Sequence, residues 1–190
     1  YSRTPGADPK VAANCRGALL READDRVAMC ERTGFRWTKD IWRPVGVGVP
    51  SGPDAVGLVR AHVLTGEAKY LRAAVLACQF GAGANPLNLC LTTGLGHAFP
   101  LHPLNVDARV SGQAPPPGLT VLGPCDLETA RTWAGWAQKF VEPHVWPRAE
   151  DWPALEHFFD VCWHPLMCEY TIQEPMAANA YVWGYLAARK

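Results

Sequence analysis

The chain has 190 residues, and 18 Lys and Arg balance 18 Asp and Glu, so its formal net charge is zero. That balance excludes a strongly basic nucleic-acid binder and an acidic solvating tail, and 48% hydrophobic against 19% charged residues excludes a disordered chain. No apolar run approaches the roughly 18 residues that a membrane helix needs, while 8 Trp and so few charges are unusual for one small self-contained domain.

Residues 10–32 predict the first helix. Val11, Ala12, Cys15, Leu19, Ala23, Val27 and Cys30 recur at helical spacing with Arg and Asp between them, which leaves one flank exposed. Residues 33–51 read as a loop bearing Gly34, Trp37, Trp42, Pro44, Gly46, Gly48 and Pro50. A second helix is expected over 53–64, with Ser51 as its cap and Pro53 near its first position, and Thr65-Gly66 as the following turn. A third runs over 67–80. From 81 to 124, Gly and Pro punctuate the chain so often that one long irregular segment is predicted, and such a segment inside a compact protein is usually functional.

Residues 126–140 return to helix behind Asp126 as N-cap. Residues 141–173 read as loop with short helical pieces around 153–161. A last helix covers 175–189, opened by Pro175. No strand alternation and no short repeat occurs, so the class is all-α.

Seven cysteines, at 15, 30, 78, 90, 125, 162 and 168, are an odd and scattered set that makes a poor disulfide framework. Cys162 and Cys168 flank His164, but this spacing matches no common zinc pattern and Pro165 intervenes. No metal and no cofactor are expected. The thiols lean towards a reducing compartment, although export stays open. The sequence opens at Tyr1 with no signal peptide ahead of it.

Helix polarity carries a second message. In 67–80 the clearly polar residues are Glu67, Lys69, Arg72 and Gln79, a narrow stripe, and 180–188 (AYVWGYLAA) holds no charge at all. A helix apolar all round belongs in the interior of a larger protein or in a membrane. These helices therefore call for cover from another segment or chain, the alternative being that they pack only on each other.

A series of short stretches carries a resemblance. Leu64-Thr65-Gly66-Glu67-Ala68-Lys69-Tyr70-Leu71 leads into Gly81-Ala82-Gly83-Ala84-Asn85-Pro86-Leu87-Asn88 and Leu91-Thr92-Thr93-Gly94-Leu95-Gly96. Pro100-Leu101-His102-Pro103, then Pro117-Gly118-Leu119-Thr120-Val121-Leu122-Gly123-Pro124, and finally Tyr170-Thr171-Ile172-Gln173-Glu174 with Asn179-Ala180 follow in order. From about residue 40 onward this resembles the C-terminal half of the catalytic domain of glycoside hydrolase family 9, the cellulase-type family. The resemblance implies a single partial domain over 1–190: roughly the second half of an (α/α)6 barrel, with 81–124 as a long substrate-side loop. The paired aspartates by which that family activates water have no counterpart here. It implies a β-glucan or related saccharide as substrate, and as partner the missing N-terminal half of the barrel or a second copy. It leaves a secreted, periplasmic or cytoplasmic home open.

Inverting glycoside hydrolysis needs two carboxyl groups on opposite sides of the scissile bond. The resemblance makes Glu174 the general acid, and Pro175 at the helix start puts it near the N-cap at a barrel mouth. A helix N-terminus favours a carboxylate, whereas a general acid must hold its proton, so desolvation by neighbours such as Trp183 or Tyr170 would have to win. The alternative is that Glu174 merely caps its helix.

The family's adjacent histidines and arginine fall where this chain has Leu104, Asn105 and Val106. His102, Asp107 and Arg109 are the polar groups left to hold sugar hydroxyls or an acidic neighbour, with Arg109 equally able to clamp the loop. That departure points to a different or shorter saccharide, or to lost activity. Trp133 and Trp136, at i and i+3, are expected to share a helix face and to offer flat rings to a pyranose, the alternative being a Trp-rich core. Asn85, Thr92, Thr93 and Gly94 are expected to shape the loop through turns. Three functions compete: a glycosidase, a noncatalytic saccharide-binding or regulatory fragment, and another helical-barrel enzyme such as a lyase or cyclase.

Overall fold

The structure is a computed structural model and describes residues 4–39, 46 and 51–189. Trp42, Pro44, Gly48 and Pro50 of the first predicted loop lie outside the described residues. Among the described residues eight α-helices follow in chain order: α1 Pro9–Arg32, α2 Val56–Thr65, α3 Ala68–Gly81, α4 Val106–Ser111, α5 Leu127–Trp133, α6 Gly135–Val141, α7 Pro165–Cys168 and α8 Ala177–Ala187. No strand occurs among the described residues, only an isolated antiparallel bridge between Thr92 and Thr120. No described helix is long and apolar enough to cross a membrane.

Two cores organise these elements. In the first, α1, α2 and α3 pack on one another and α8 closes against α2 and α3. Leu58, Val59, Tyr70, Ala74, Cys78 and Val182 are buried there. Asp8 starts α1 by accepting the Val11 amide at 2.9 Å, and Gly66, at φ +75°, ends α2 by donating to His62 O at 2.8 Å. Ion pairs lock the layers: Arg26 reaches Asp54 at 2.9 Å and Lys69 reaches Asp24 at 2.7 Å. The second core gathers Ala130, Ala137, Met167 and Cys168 from α5, α6 and α7, with Cys125 ahead of α5 and Ala134 between α5 and α6.

The structure corrects several predicted boundaries. Ala55, not Ser51, sits at the N-cap of α2 and makes no side-chain cap bond; Ser51 Oγ donates instead to Leu122 O at 3.2 Å. The long segment contains α4, six residues too short to show a period, capped by Asn105, whose side chain accepts the Ala108 amide at 2.8 Å. Asp126 caps α5 as expected, accepting from Thr129 N at 2.8 Å. The helix it starts breaks at Ala134 (φ −134°, ψ 37°), which Gly135 follows, so 126–140 is two helices. Residues 153–161 form no helix; short 3₁₀ turns at Glu142–His144 and Ala149–Asp151 and the four residues of α7 stand nearby instead. The last helix does not open at Pro175. Thr171 is its N-cap, a wide π-type turn over Ile172–Met176 contains Pro175, and α8 follows. Proline has no amide to donate and crowds the preceding turn, which accounts for the widening.

α8 has a buried side, where Val182 is fully enclosed and Tyr185 and Leu186 pack on the first core. Its other side exposes Tyr181 and Trp183 (45% and 42%).

Candidate functional site

Of the stretches that carry the resemblance, those from residue 81 onward come together. Asn85 is buried and ties its own turn: its Oδ1 accepts from Leu87 N at 3.1 Å, and its Nδ2 donates to Phe80 O at 2.7 Å and Leu89 O at 2.9 Å. Thr92 and Thr120 pair through their hydroxyls at 2.9 Å. Thr93 donates to Pro116 O at 2.7 Å and accepts from Leu119 N at 3.0 Å. Gly94, at φ +74°, lies where a Cβ would come within 2.6 Å of Pro117 Cβ, so the approach of the two segments requires glycine. Asn179 of α8 then donates to Thr120 Oγ1 at 3.2 Å. Cys168, Glu169 and Met167 join the assembly by accepting backbone bonds from Leu104, Leu122 and Gly123 respectively. The expected role of Asn85, Thr92, Thr93 and Gly94 as loop-shaping residues is what this geometry displays.

The structure places His102 and Arg109 on one groove of about 480 Å³, with Leu101, Pro103, Asn105 and Cys162 among its walls. Asp160, across the fold, accepts the Leu101 amide at 2.7 Å and the His102 amide at 3.0 Å, and faces His102 Nδ1 at 3.4 Å. Tyr170 is connected to this groove through Asn105, whose Nδ2 donates to the Tyr170 hydroxyl at 2.9 Å. Asp107 differs: it is exposed on α4 and does not line the groove.

Glu174 sits on the segment that continues from Tyr170. Its amide donates to Thr171 Oγ1 at 3.4 Å, and the Thr171 hydroxyl donates to its Oε2. This is a close variant of a capping box, with Thr171 at N-cap and Glu174 three residues on. The expected N-cap placement of Glu174 is therefore shifted by one turn. The expected desolvation is absent as well: Glu174 is exposed, Tyr170 directs its hydroxyl to Asn105, and Trp183 lines a second, mostly apolar cavity of about 500 Å³ with Leu95, Thr120, Met176, Asn179 and Ala180.

Trp133 and Trp136 do not share a helix face, because the break at Ala134 puts them on different helices. Both are exposed (74% and 65%), so neither is core. Trp136 leans on Trp163 with ring centroids 6.2 Å apart, and Phe140, one turn further along α6, meets Trp163 edge-on at 5.3 Å. Among the described residues no group of three or more His, Cys, Asp or Glu is gathered that could hold a metal. His164 instead points into the second core. Its Nε2 meets Gln138 Oε1 at 3.2 Å, Gln138 Nε2 meets His157 Nε2 at 3.3 Å, and His157 Nδ1 meets Cys125 O at 2.6 Å. Burial pushes the Cys78 and Cys125 thiols up to about 12, and that of Cys168 higher still, so all three are inert.

Sequence reasoning missed Asp160, Asn105 and Thr171. Thr171-Ile172-Gln173-Glu174 is a readable capping signature, but no local signal marks Asp160, whose partners lie 58 and 59 residues away.

No protein-family model matches the chain, and no curated protein sequence matches it. Solved structures do. The chain is similar to a metagenome-derived glycoside hydrolase family 9 endoglucanase, with TM-score 0.78 and 24% identity over 97% of this chain and 30% of that one. It is similar to the family 9 endoglucanase J30, with TM-score 0.82 and 21% identity over 100% of this chain and 33% of that one. A thermostable endoglucanase from Alicyclobacillus acidocaldarius, a single mutant, matches with TM-score 0.68 and 25% identity over 98% of this chain and 34% of that one. The chain thus spans about a third of the length of the solved structures it matches. Its all-helical fold is that of a part of the (α/α) barrel of those enzymes.

Proposed function

We propose that this chain is the acid-bearing part of an inverting glycosidase acting on a β-linked glucan or a related oligosaccharide. The observation that carries this reading is the convergence of segments 85–96, 100–105, 117–124 and 167–179 on one hydrogen-bonded scaffold, in a fold similar to family 9 endoglucanases. Glu174 protonates the departing glycosidic oxygen. A second carboxylate, roughly 6.5–9.5 Å away across the sugar, activates water. That base comes from outside these 190 residues, so the chain alone is inactive. The face of α8 bearing Tyr181 and Trp183 is covered by the same missing part of the barrel, or by a second copy. His102 and Arg109 hold sugar hydroxyls in the groove, with Tyr170 setting its wall through Asn105, and Asp107, exposed on α4 outside the groove, meets a sugar unit beyond it. Trp133 and Trp136 offer exposed rings to further sugar units. No cofactor is required, and neither nucleic acid nor a membrane is a partner. The absence of the family's adjacent histidines and arginine favours a shorter or different saccharide.

One observation favours a second reading, a noncatalytic saccharide-binding fragment: Glu174 is exposed and already engaged by its N-cap threonine. One experiment separates the two. In the whole protein, Glu174→Gln is expected to abolish hydrolysis of an unactivated glucan while sparing an aryl glycoside whose leaving group needs no proton. Undiminished turnover of the unactivated glucan refutes the acid assignment. Release of reducing sugar by the pure 190-residue chain refutes the view that its base lies elsewhere.

A further inference from the structure

Asp160 lies on the stretch between α6 and α7 that sequence reasoning left without a role. Its two carboxylate oxygens are spent on one short stretch of chain, accepting the successive amides of Leu101 and His102 at 2.7 and 3.0 Å. Loop amides facing a carboxylate are fixed more firmly than those facing water, because charge-assisted bonds are about twice as strong as neutral ones. The same carboxylate also faces the His102 ring, with Oδ2 3.4 Å from Nδ1. A carboxylate can only accept, so Nδ1 carries the proton in this contact. In the neutral ring, Nε2 then carries a lone pair. His102 is 62% exposed at its side chain and lines the groove, so this lone pair is free to accept a hydrogen bond from a bound molecule.

We propose that Asp160 is a positioning residue. It fixes both the backbone and the tautomer of His102, so that Nε2 accepts a hydroxyl of a saccharide bound in the groove. The assignment rests on the glycosidase reading for the ligand, but the Asp160–His102 contact itself does not. It also supplies a specificity argument. An Nε2 that accepts selects a donor, which a sugar hydroxyl is and an unprotonated ether oxygen is not. Asp160→Asn keeps one acceptor oxygen but brings an amide with two N–H groups against two backbone N–H donors, so the loop and the ring both lose their fixed partner.

The test has two arms on the whole protein. Nitrogen-15 NMR of the imidazole, without any saccharide, reads the tautomer. The Nδ1–H form is expected for His102 in the wild type, replaced by a mixture in Asp160→Asn. Titration with a soluble β-1,4-linked glucotetraose then reads the groove. Asp160→Asn is expected to weaken binding about tenfold, His102→Ala by a similar factor, and the double variant no more than His102→Ala alone. An Nε2–H tautomer in the wild type, which needs no variant to fold, overturns the assignment. So does a double variant in which the two losses multiply, since a purely structural Asp160 would act independently of the ring. If the wild type shows the Nδ1–H tautomer but does not bind the tetrasaccharide, the glycosidase reading falls, and the saccharide part of this assignment with it.

Discussion

The buried pair of histidines makes the stability of this chain acid-sensitive in a defined window. His157, Gln138 and His164 are fully enclosed in the second core. With the Gln138 amide donating to His157 and accepting from His164, each of their bonds has one donor and one acceptor. His164 Nδ1 has no partner and cannot be reached by water. Burial, with a smaller contribution from the neighbouring His157, holds the His164 ring down to about 4 against an ordinary 6.5. Its folded value lies below its unfolded value, so between those pH values the unfolded chain binds the extra proton. Stability is therefore fully present above about pH 6.5 and is lost as the pH falls towards 4. A difference of about 2.5 pH units corresponds to about 3 kcal/mol. His157, lowered by burial as well, adds in the same direction. The perturbation is His164→Asn, which removes the titrating ring. Urea unfolding of both proteins between pH 7.5 and 4 is the assay. The wild type is expected to lose about 3 kcal/mol more than the variant over this range. Carboxylate titration is common to both proteins and cancels. Parallel curves for the two would refute the claim that His164 is held neutral by burial.

Two further outcomes follow from local geometry. Gly94→Ala combines an unfavourable φ with a Cβ 2.6 Å from Pro117; a loss of about 2–4 kcal/mol is expected, read as a lower thermal midpoint, and an unchanged midpoint would show that the two segments separate freely. Thr171→Ala removes the N-cap of the last helix and should lower stability by about 1 kcal/mol, with Thr171→Ser restoring it; an equally stable Ala variant would mean that Thr171 and Glu174 are not coupled.

What the sequence made legible divides along physical lines. The helices of the first core were readable because they are long enough to show a period: α1 and α3 begin and end within a residue or two of expectation. α4 and α7, at six and four residues, span fewer than two turns, too few for a period to repeat, and their starts are marked by Asn105 and by His164-Pro165. The break at Ala134 was invisible because Trp133, Ala134 and Trp136 fit a helical pattern, and Gly135 alone does not forbid one. His102 and Arg109 could be named as polar groups of one segment, but that both line one groove follows from the chain turning into α4 at Asn105, between them. Asp160 was not, because a contact across 58 residues leaves no local trace.

The exposure of Glu174 and that of α8 belong to one problem. The turn over Ile172–Met176 opens α8, so the carboxyl group of Glu174 and the rings of Tyr181 and Trp183 are carried on the same continuous element. This helix carries no charge along its length, yet it packs Val182, Tyr185 and Leu186 on the first core and leaves Tyr181 and Trp183 exposed. A further segment or second copy seated on the exposed side would bring low-dielectric surface to the helix whose first turn holds Glu174. Removing water from that turn strengthens every electrostatic interaction there and disfavours the ionised carboxyl. On the glycosidase reading proposed above, the acid role of Glu174 would depend on that cover. An exposed Glu174 in these 190 residues and an acid role for it in a larger assembly are therefore consistent with each other.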